Sequence, residues 1–436
     1  MRAPARLVAS GAVLSACVAA WSVEGDQTRA VAPHLLRYGV AFAAYALALE
    51  ASSGGLSRRA LALALAVSGA WRVALVAAPP LLSDDVNRYV WEGRIQLHGG
   101  NPYAWADRPE AAKWAALRDE VWRGVSHKDY TAIYPPVAQA AAAGVVAVRD
   151  SVRAMKAFAV ACEALTAWAL AWSLRRRRLP ASRLLVLAWS PLALVEVAGT
   201  GHNDALGILF ATLGLAAFDL RRPALGAAAM ALGFQAKLLP GLVAAGWARR
   251  YRPAHAVLGL ALATLVMAPY AGAGGGLWRS LGKYGEFWRF NETLFAVAAA
   301  GAGSPMAAVG IALAALAAVA AAVAWRSPEP ATAALAVVVA WLALAPNVLP
   351  WYALWLLPWL VLRDYPPALL FTGTVGLAYL VYPEWHSGQP WRLGWGVRAL
   401  EYGPCVAVAL AHALGWASPR PAATEGGGTF VPRGPS

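Results

Sequence analysis

LLSDDVNRYVWEGRIQLHGGNPY, residues 81–103, is a polar passage in an otherwise apolar chain. Three apolar runs precede it, near 7–23, 35–52 and 61–80, and apolar runs resume after residue 153. A bilayer core about 30 Å thick demands runs of this kind from the helices that cross it. Of the 436 residues, 59% are hydrophobic and 14% are charged. An ordinary soluble domain carries about 25% charged residues. These numbers exclude a disordered chain and argue against a soluble enzyme. The expected fold class is all-α: a polytopic integral membrane helical bundle with a large polar loop that opens at Leu81.

Charge orients the bundle. The net charge is +14, from 37 Lys and Arg against 23 Asp and Glu. The cations sit in short clusters between apolar runs: Arg58-Arg59, Arg175 to Arg178, Arg221-Arg222 and Arg249-Arg250. Loops of that kind stay on the cytoplasmic side. No nucleic-acid-binding module or long basic stripe occurs, so a nucleic-acid partner is excluded. The first run would also fit a signal peptide. A retained helix is preferred, because the parity of the later spans then works.

Three crossings place residues 81–153 outside. This segment holds nine acidic and nine basic residues, so it is neutral where the short loops are basic. Within it, YPPVAQAAAAGVVAV at 134–148 is apolar but short for a bilayer. Counting it as a span would push Arg175 to Arg178 outside, so it reads as a juxtamembrane or re-entrant helix. Further spans are expected near 154–174, 182–199, 204–219, 224–236, 239–248, 254–270, 304–325, 330–345, 351–362, 366–382 and 397–416. The total is about 14. Residues 1–416 form one transmembrane domain, with a Gly/Pro-rich tail at 417–436 expected to be disordered. No Walker motif or dinucleotide fingerprint is present.

Several polar groups stand on the outer side of this topology. Asp84 and Asp85 lie just after the third span, where paired carboxylates are costly unless solvated, paired or used. One of them could act as a general base, or Ser83, Asp84 or Asp85 could cap the following helix. Tyr89 and Trp91 could stack on a sugar or anchor at the interface. Asn101 and Tyr103 follow the turn at Gly100. At Gly201-His202-Asn203-Asp204, three polar groups meet between apolar spans. They could bind a phosphate or sugar, or Asn203 or Asp204 could cap the next helix. His202 is alone, so no metal-ligand set is expected. Lys237, one of five lysines, needs an anionic partner in its apolar setting, unless it snorkels. Arg289 could hold a phosphate and Asn291 a hydroxyl. Pro350-Trp351-Tyr352 reads equally as an interface belt or a site. His386 could orient a phosphate, and Arg398 is expected to pair with Glu401 one turn on. Glu163 lies inside a span without an assigned role, and helix–helix glue or an uncharged partner is the simplest expectation.

The order of these motifs resembles a known family. Asp85-x-x-x-Tyr89, Gly100-Asn101-Pro102-Tyr103, Tyr134-Pro135-Pro136, Gly201-His202-Asn203-Asp204, Lys237-x-x-Pro240, Pro350-Trp351-Tyr352 and Arg398 to Tyr402 are similar to motifs of the GT-C superfamily. The resemblance is to its polyprenol-phosphate-mannose-dependent mannosyltransferases, the alpha-1,6-mannopyranosyltransferase group among them. It spans roughly residues 80 to 405. The loop here follows three spans, where the simplest members have one. The resemblance implies transfer of a hexose, most often mannose, from a polyprenyl-phosphate carrier to an acceptor hydroxyl outside the membrane, with inversion. It implies Asp85 as base, with Asp84 second. Lys237, Arg289, His386 and Arg398 would then serve the donor phosphate, and Tyr89, Asn101, Tyr103, His202, Asn203, Asp204 and Asn291 the sugar or acceptor. The expected partners are membrane lipids, the lipid-linked donor and a glycan or glycolipid acceptor, with no metal and no cofactor beyond the donor. The expected location is the bacterial cytoplasmic membrane. The competing class, a lipid-sugar flippase or other secondary transporter, predicts internal repeats and polar groups near the midplane. Neither is evident in the sequence.

Overall fold

The computed structural model describes residues 3–104, 108 and 110–414. The expected tail at 417–436 lies outside them. Among the described residues the secondary structure is helical, without a strand, and one isolated bridge joins Phe290 to Asn347.

Four helices are long and apolar enough to cross a membrane: Ala3–Glu24, Arg58–Ala77, Val152–Arg176 and Pro305–Arg326. A fifth crossing forms if Ala181–Ala188 and Pro191–Gly199, bent by 48°, count as one. Serine hydroxyls start three of these helices: Ser57, Ser151 and Ser304 each accept a backbone N–H of the first turn. The other expected spans are shorter or broken. Leu239–Gly246 has 8 residues, Pro223–Phe234 has 12 and Pro253–Leu265 has 13. Residues 350–362 divide into a 3-10 turn, Pro350–Leu356, and a helix, Leu357–Leu362. Proline stands in the first turn of each of these pieces. It lacks an N–H and clashes with the preceding turn, so it restarts a helix rather than continuing one.

Two helices show how the ends of the bundle differ. Val152–Arg176 and Asp204–Asp219 pack together. At one end Arg177 pairs with Asp219 at 3.0 Å and with Glu329, which also binds Arg363 at 2.9 Å. Arg183 holds Asp364 at 2.9 Å, and Arg249 donates to the carbonyl of Trp325 at 3.1 Å. The arginines that the sequence scatters over several loops thus meet at one end. Asp204 marks the other end, about 24 Å away for a 16-residue helix.

Residues 81–153 build on that second end. The helix Asp85–Leu97 packs along Pro136–Val148. Contact is close at Gly93, where a β-carbon would lie 2.8 Å from the carbonyl oxygen of Ala142. Pro136–Val148 has 13 residues, about 20 Å, too short to cross a bilayer. Its first turn is tied inward, with Val137 N–H donating to Gln235 O at 2.7 Å. Arg94 ties the helix Asp85–Leu97 to the segment's middle at Asp119 and to its end at Asp150, both at 2.8 Å. Arg88 donates to the carbonyls of Ser126, His127 and Tyr130, which closes the loop at 126–130.

Glu163 has a charged partner. Arg72 reaches it with two bonds, of 2.6 and 2.8 Å, between buried side chains. The expectation of an uncharged partner is corrected. The two charges are 91 residues apart, so no sequence spacing links them.

Candidate active site

Asp85 opens the helix Asp85–Leu97. Asp84 takes the cap position but makes no side-chain cap bond. The Ser83 hydroxyl instead accepts the Asp85 N–H at 3.3 Å. Asp85 keeps 28% of its side-chain surface accessible. Burial of the rest, then the charge of Asp84, raises its pKa to about 6, against the pull of Lys237 and Arg88. Burial also raises the pKa of Asp84. Near neutral pH Asp85 is a carboxylate of unusually high proton affinity, which is the property a general base needs.

His202 faces Asp85. Its Nδ1 lies 3.9 Å from Asp85 Oδ2, and its Nε2 lies 3.4 Å from Glu196 Oε2. The ring is fully buried and stacks on Trp351 at 3.9 Å, 19° from parallel. Burial, then the charge of Lys237, pushes its pKa well below the usual histidine value, so the ring is neutral. Glu196 comes from a single π-helical turn, Leu194–Gly199, and its Oε1 accepts the Tyr379 hydroxyl at 2.8 Å. Such turns occur often at functional sites.

Beside this dyad lies the lysine. Lys237 Nζ donates to Asp204 Oδ2 at 2.7 Å and to Asn203 Oδ1 at 3.3 Å. Neither Asn203 nor Asp204 caps the helix through its side chain, as the local sequence would allow. Asp204 is fully buried, and its second oxygen accepts Trp355 Nε1 at 2.7 Å. The ammonium sits 4.7 Å from the Tyr134 ring and 5.8 Å from the Tyr352 ring. Trp351, stacked on His202, and Tyr352, near Lys237, thus pack beside the candidate site. Tyr352 continues through its hydroxyl to Tyr284 at 2.6 Å, and Tyr284 accepts from Asn347 at 2.6 Å.

Tyr89 and Tyr134 meet edge to face, with hydroxyls 3.4 Å apart. Tyr103 supports this wall from behind, donating to Tyr134 O at 2.5 Å, while Asn101 accepts the Tyr103 N–H at 3.1 Å. A cavity of about 20 Å³ opens among Tyr89, Glu92, Tyr134, Gln139, Gly201 and Asn203. That volume suits one water, not a sugar ring.

Arg289, Asn291 and Arg398 form a second cluster. Glu292 binds Arg289 at 3.1 Å and Arg398 at 3.4 Å. Asn291 donates to Glu401 at 2.8 Å. The expected Arg398–Glu401 pair is thus replaced: Arg398 turns to Glu292 and Glu401 to Asn291. The cluster connects to the lysine site through the Phe290–Asn347 bridge. His386 meets the site through Tyr382, which stacks on Tyr379 and donates to the Leu82 carbonyl. It is exposed and stacks on Tyr382 at 5.8 Å.

Sequence reasoning passed over Glu196, Tyr134, Tyr284, Trp355 and Asn347 as site residues. Glu196 left a usable signal, being an acid within the apolar run 182–199. Tyr134 stands in the Tyr134-Pro135-Pro136 motif without a role of its own, and Tyr284 leaves no signal, because a membrane protein carries many tyrosines for other reasons. Among the described residues, no group of three or more His, Cys, Asp or Glu side chains could hold a metal ion.

The family model described as alpha-(1->6)-mannopyranosyltransferase, N-terminal domain, matches residues 3–250. The chain belongs to this family. It is a membrane mannosyltransferase, as the resemblance of its motifs implies, and the flippase reading falls away. The match spans Asp84, Asp85, Tyr89, Asn101, Tyr103, His202, Asn203, Asp204 and Lys237. The Arg289 cluster and His386 lie C-terminal to it. Searches among curated proteins and among solved structures return no match.

Proposed function

We propose that this mannosyltransferase uses a polyprenyl-phosphate-mannose donor and acts on the extracytoplasmic face of a bacterial cytoplasmic membrane. One observation carries the reading. Asp85, a carboxylate with raised proton affinity, shares one end of the bundle with Lys237, a cation between two tyrosine rings. The arginine-rich end takes the cytoplasmic side by the positive-inside rule. We take the shorter apolar helices, in series, to make further crossings, toward about 14 in all, beyond the four or five that length and composition give.

Asp85 accepts the proton of the acceptor hydroxyl as its oxygen attacks C1 of the mannose, with Asp84 as the second carboxylate. The bond from C1 to the phosphate oxygen breaks, its electron pair stays on the lipid phosphate, and the anomeric centre inverts. Lys237 stabilises the charge that develops there, with Arg289, Arg398 and His386 as further groups for the donor phosphate. Tyr89, Asn101, Tyr103, His202, Asn203, Asp204 and Asn291 surround the sugar and acceptor, a glycan or glycolipid. The chemistry calls for no cofactor beyond the lipid-linked donor and for no metal.

The test offers radiolabelled polyprenyl-phosphate-mannose and a bacterial lipid extract to purified protein in nanodiscs. Wild type should move label to a new product, and Asp85→Asn should not, while still binding donor. Wild-type turnover by Asp85→Asn would remove Asp85 from the mechanism. Transfer from another lipid-linked sugar alone would overturn the donor.

A further inference from the structure

Both ring nitrogens of His202 and Oε2 of Glu196 are buried without a hydrogen-bond partner, yet they face one another and Asp85. Nδ1 looks to Asp85 at 3.9 Å and Nε2 to Glu196 at 3.4 Å. Catalytic hydrogen bonds are often this long before substrate binds. The stacked Trp351 fixes the plane of the ring, and the Tyr379 hydroxyl occupies the other oxygen of Glu196. Within this line only the proton is free to choose its place.

We propose that Glu196 is a positioning residue that sets the tautomer of His202 and thereby decides whether Asp85 stands ready as a base. The inference rests on the assignment of Asp85 as base. A neutral imidazole carries one N–H. When Glu196 holds a proton, it donates to Nε2, so the N–H sits on Nδ1 and points at an ionised Asp85. When Glu196 is ionised, it takes the N–H on Nε2, so the Nδ1 lone pair faces Asp85 and favours its protonated, inactive form. The two states hold the same number of protons. They interconvert when Asp85 Oδ2–H gives its proton to Nδ1 as Nε2–H gives its own to Glu196 Oε2. The proton taken from the acceptor during turnover leaves Asp85 to the departing phosphate or to water.

Other charges also bear on the line. Asp84, Lys237, Arg88 and Asp204 act on Asp85, and Lys237 acts on His202. Tyr379, Tyr38, Tyr382 and Asp204 surround Glu196. None of them pairs with Nε2 of His202, which faces Glu196 alone at 3.4 Å, so control of the tautomer falls to Glu196.

Glu196→Gln locks one tautomer. Its amide N–H donates to Nε2 and its oxygen keeps the Tyr379 bond, so Asp85 stays ionised. The acid limb of kcat/KM should move down by about one pH unit, whatever the change in the plateau rate. Glu196→Leu keeps the volume but gives no tautomer control, and its acid limb should not move down. Thermal unfolding of each purified variant identifies any that fails to fold. A Glu196→Gln profile that overlays wild type, or one that loses turnover without a shift, overturns the proposal. The Asp85→Asn variant, run alongside, separates this from failure of Asp85 as base: activity in Asp85→Asn sinks both.

Discussion

Replacing Arg72 by Met tests whether a buried ion pair holds the bundle together. The guanidinium is 9% exposed and Glu163 is 6% exposed. Arg72 makes two charge-assisted bonds to Glu163 and adds bonds to Ser68 Oγ at 2.7 Å and to Ala188 O at 2.9 Å. Methionine matches the length of the stem but supplies no donor. Glu163 is then left charged in a setting where neither water nor lipid can solvate it. Breaking one side of a buried pair costs about 3–5 kcal/mol. The Ala188 carbonyl keeps the Ser68 hydroxyl at 2.7 Å, so losing its bond to Arg72 adds only about 0.5–1.5 kcal/mol. The double variant Arg72→Met, Glu163→Leu removes both charges and should regain most of that loss, since apolar replacements of a buried pair are often neutral. The assay is thermal unfolding of detergent-purified protein followed by the fluorescence of its 21 tryptophans. The single variant should unfold well below wild type and the double variant close to it. A single variant as stable as wild type, or a double variant no better than the single, would refute the reasoning.

Other perturbations address the site. The raised pKa of Asp85, about 6, means that the base is protonated below that value, so kcat/KM should fall about tenfold per pH unit below it. Transfer rates measured from pH 4.5 to 8 check this, and a flat profile removes Asp85 as base. Lys237→Met should raise the KM for lipid-linked donor and destabilise the protein, because it strands the fully buried Asp204. Lys237→Met with Asp204→Asn should recover thermal stability without recovering donor use; recovery of both would show that Lys237 serves the fold alone. Gly201→Ala should cost about 1–2 kcal/mol for its positive φ of 88°. The new β-carbon would also lie 2.8 Å from Lys156 Cγ, and an unchanged unfolding temperature would contradict this packing.

The pairing at the site followed rules that local sequence does not carry. Asn203 and Asp204 look like caps because both types favour that position. Lys237, a half-buried cation, outcompetes the orphan N–H groups of the helix for their oxygens. Arg398 and Glu401 have the spacing of a helical ion pair. Glu292 offers Arg398 a backbone carbonyl at 2.9 Å as well as a carboxylate, and Asn291 is placed to donate to Glu401. Lys156 went unremarked in the sequence, yet it is fully buried and donates to the carbonyls of Leu75 and Ala78, both at 2.7 Å. It satisfies the open carbonyls at the end of Arg58–Ala77, a task set by three-dimensional packing.

Composition, hydropathy and the order of motifs along the chain determined that this is a helical membrane protein of the mannosyltransferase kind, with its acids concentrated in residues 81–153. Those properties are local and additive, so a sequence displays them. The lengths of the helices, the meeting of the arginines at one end and the line from Asp85 through His202 to Glu196 were decided only by the tertiary structure. Asp85 and His202 are 117 residues apart in number, yet 3.9 Å apart in space. Which side chain wins a buried partner depends on every group that packing brings within reach.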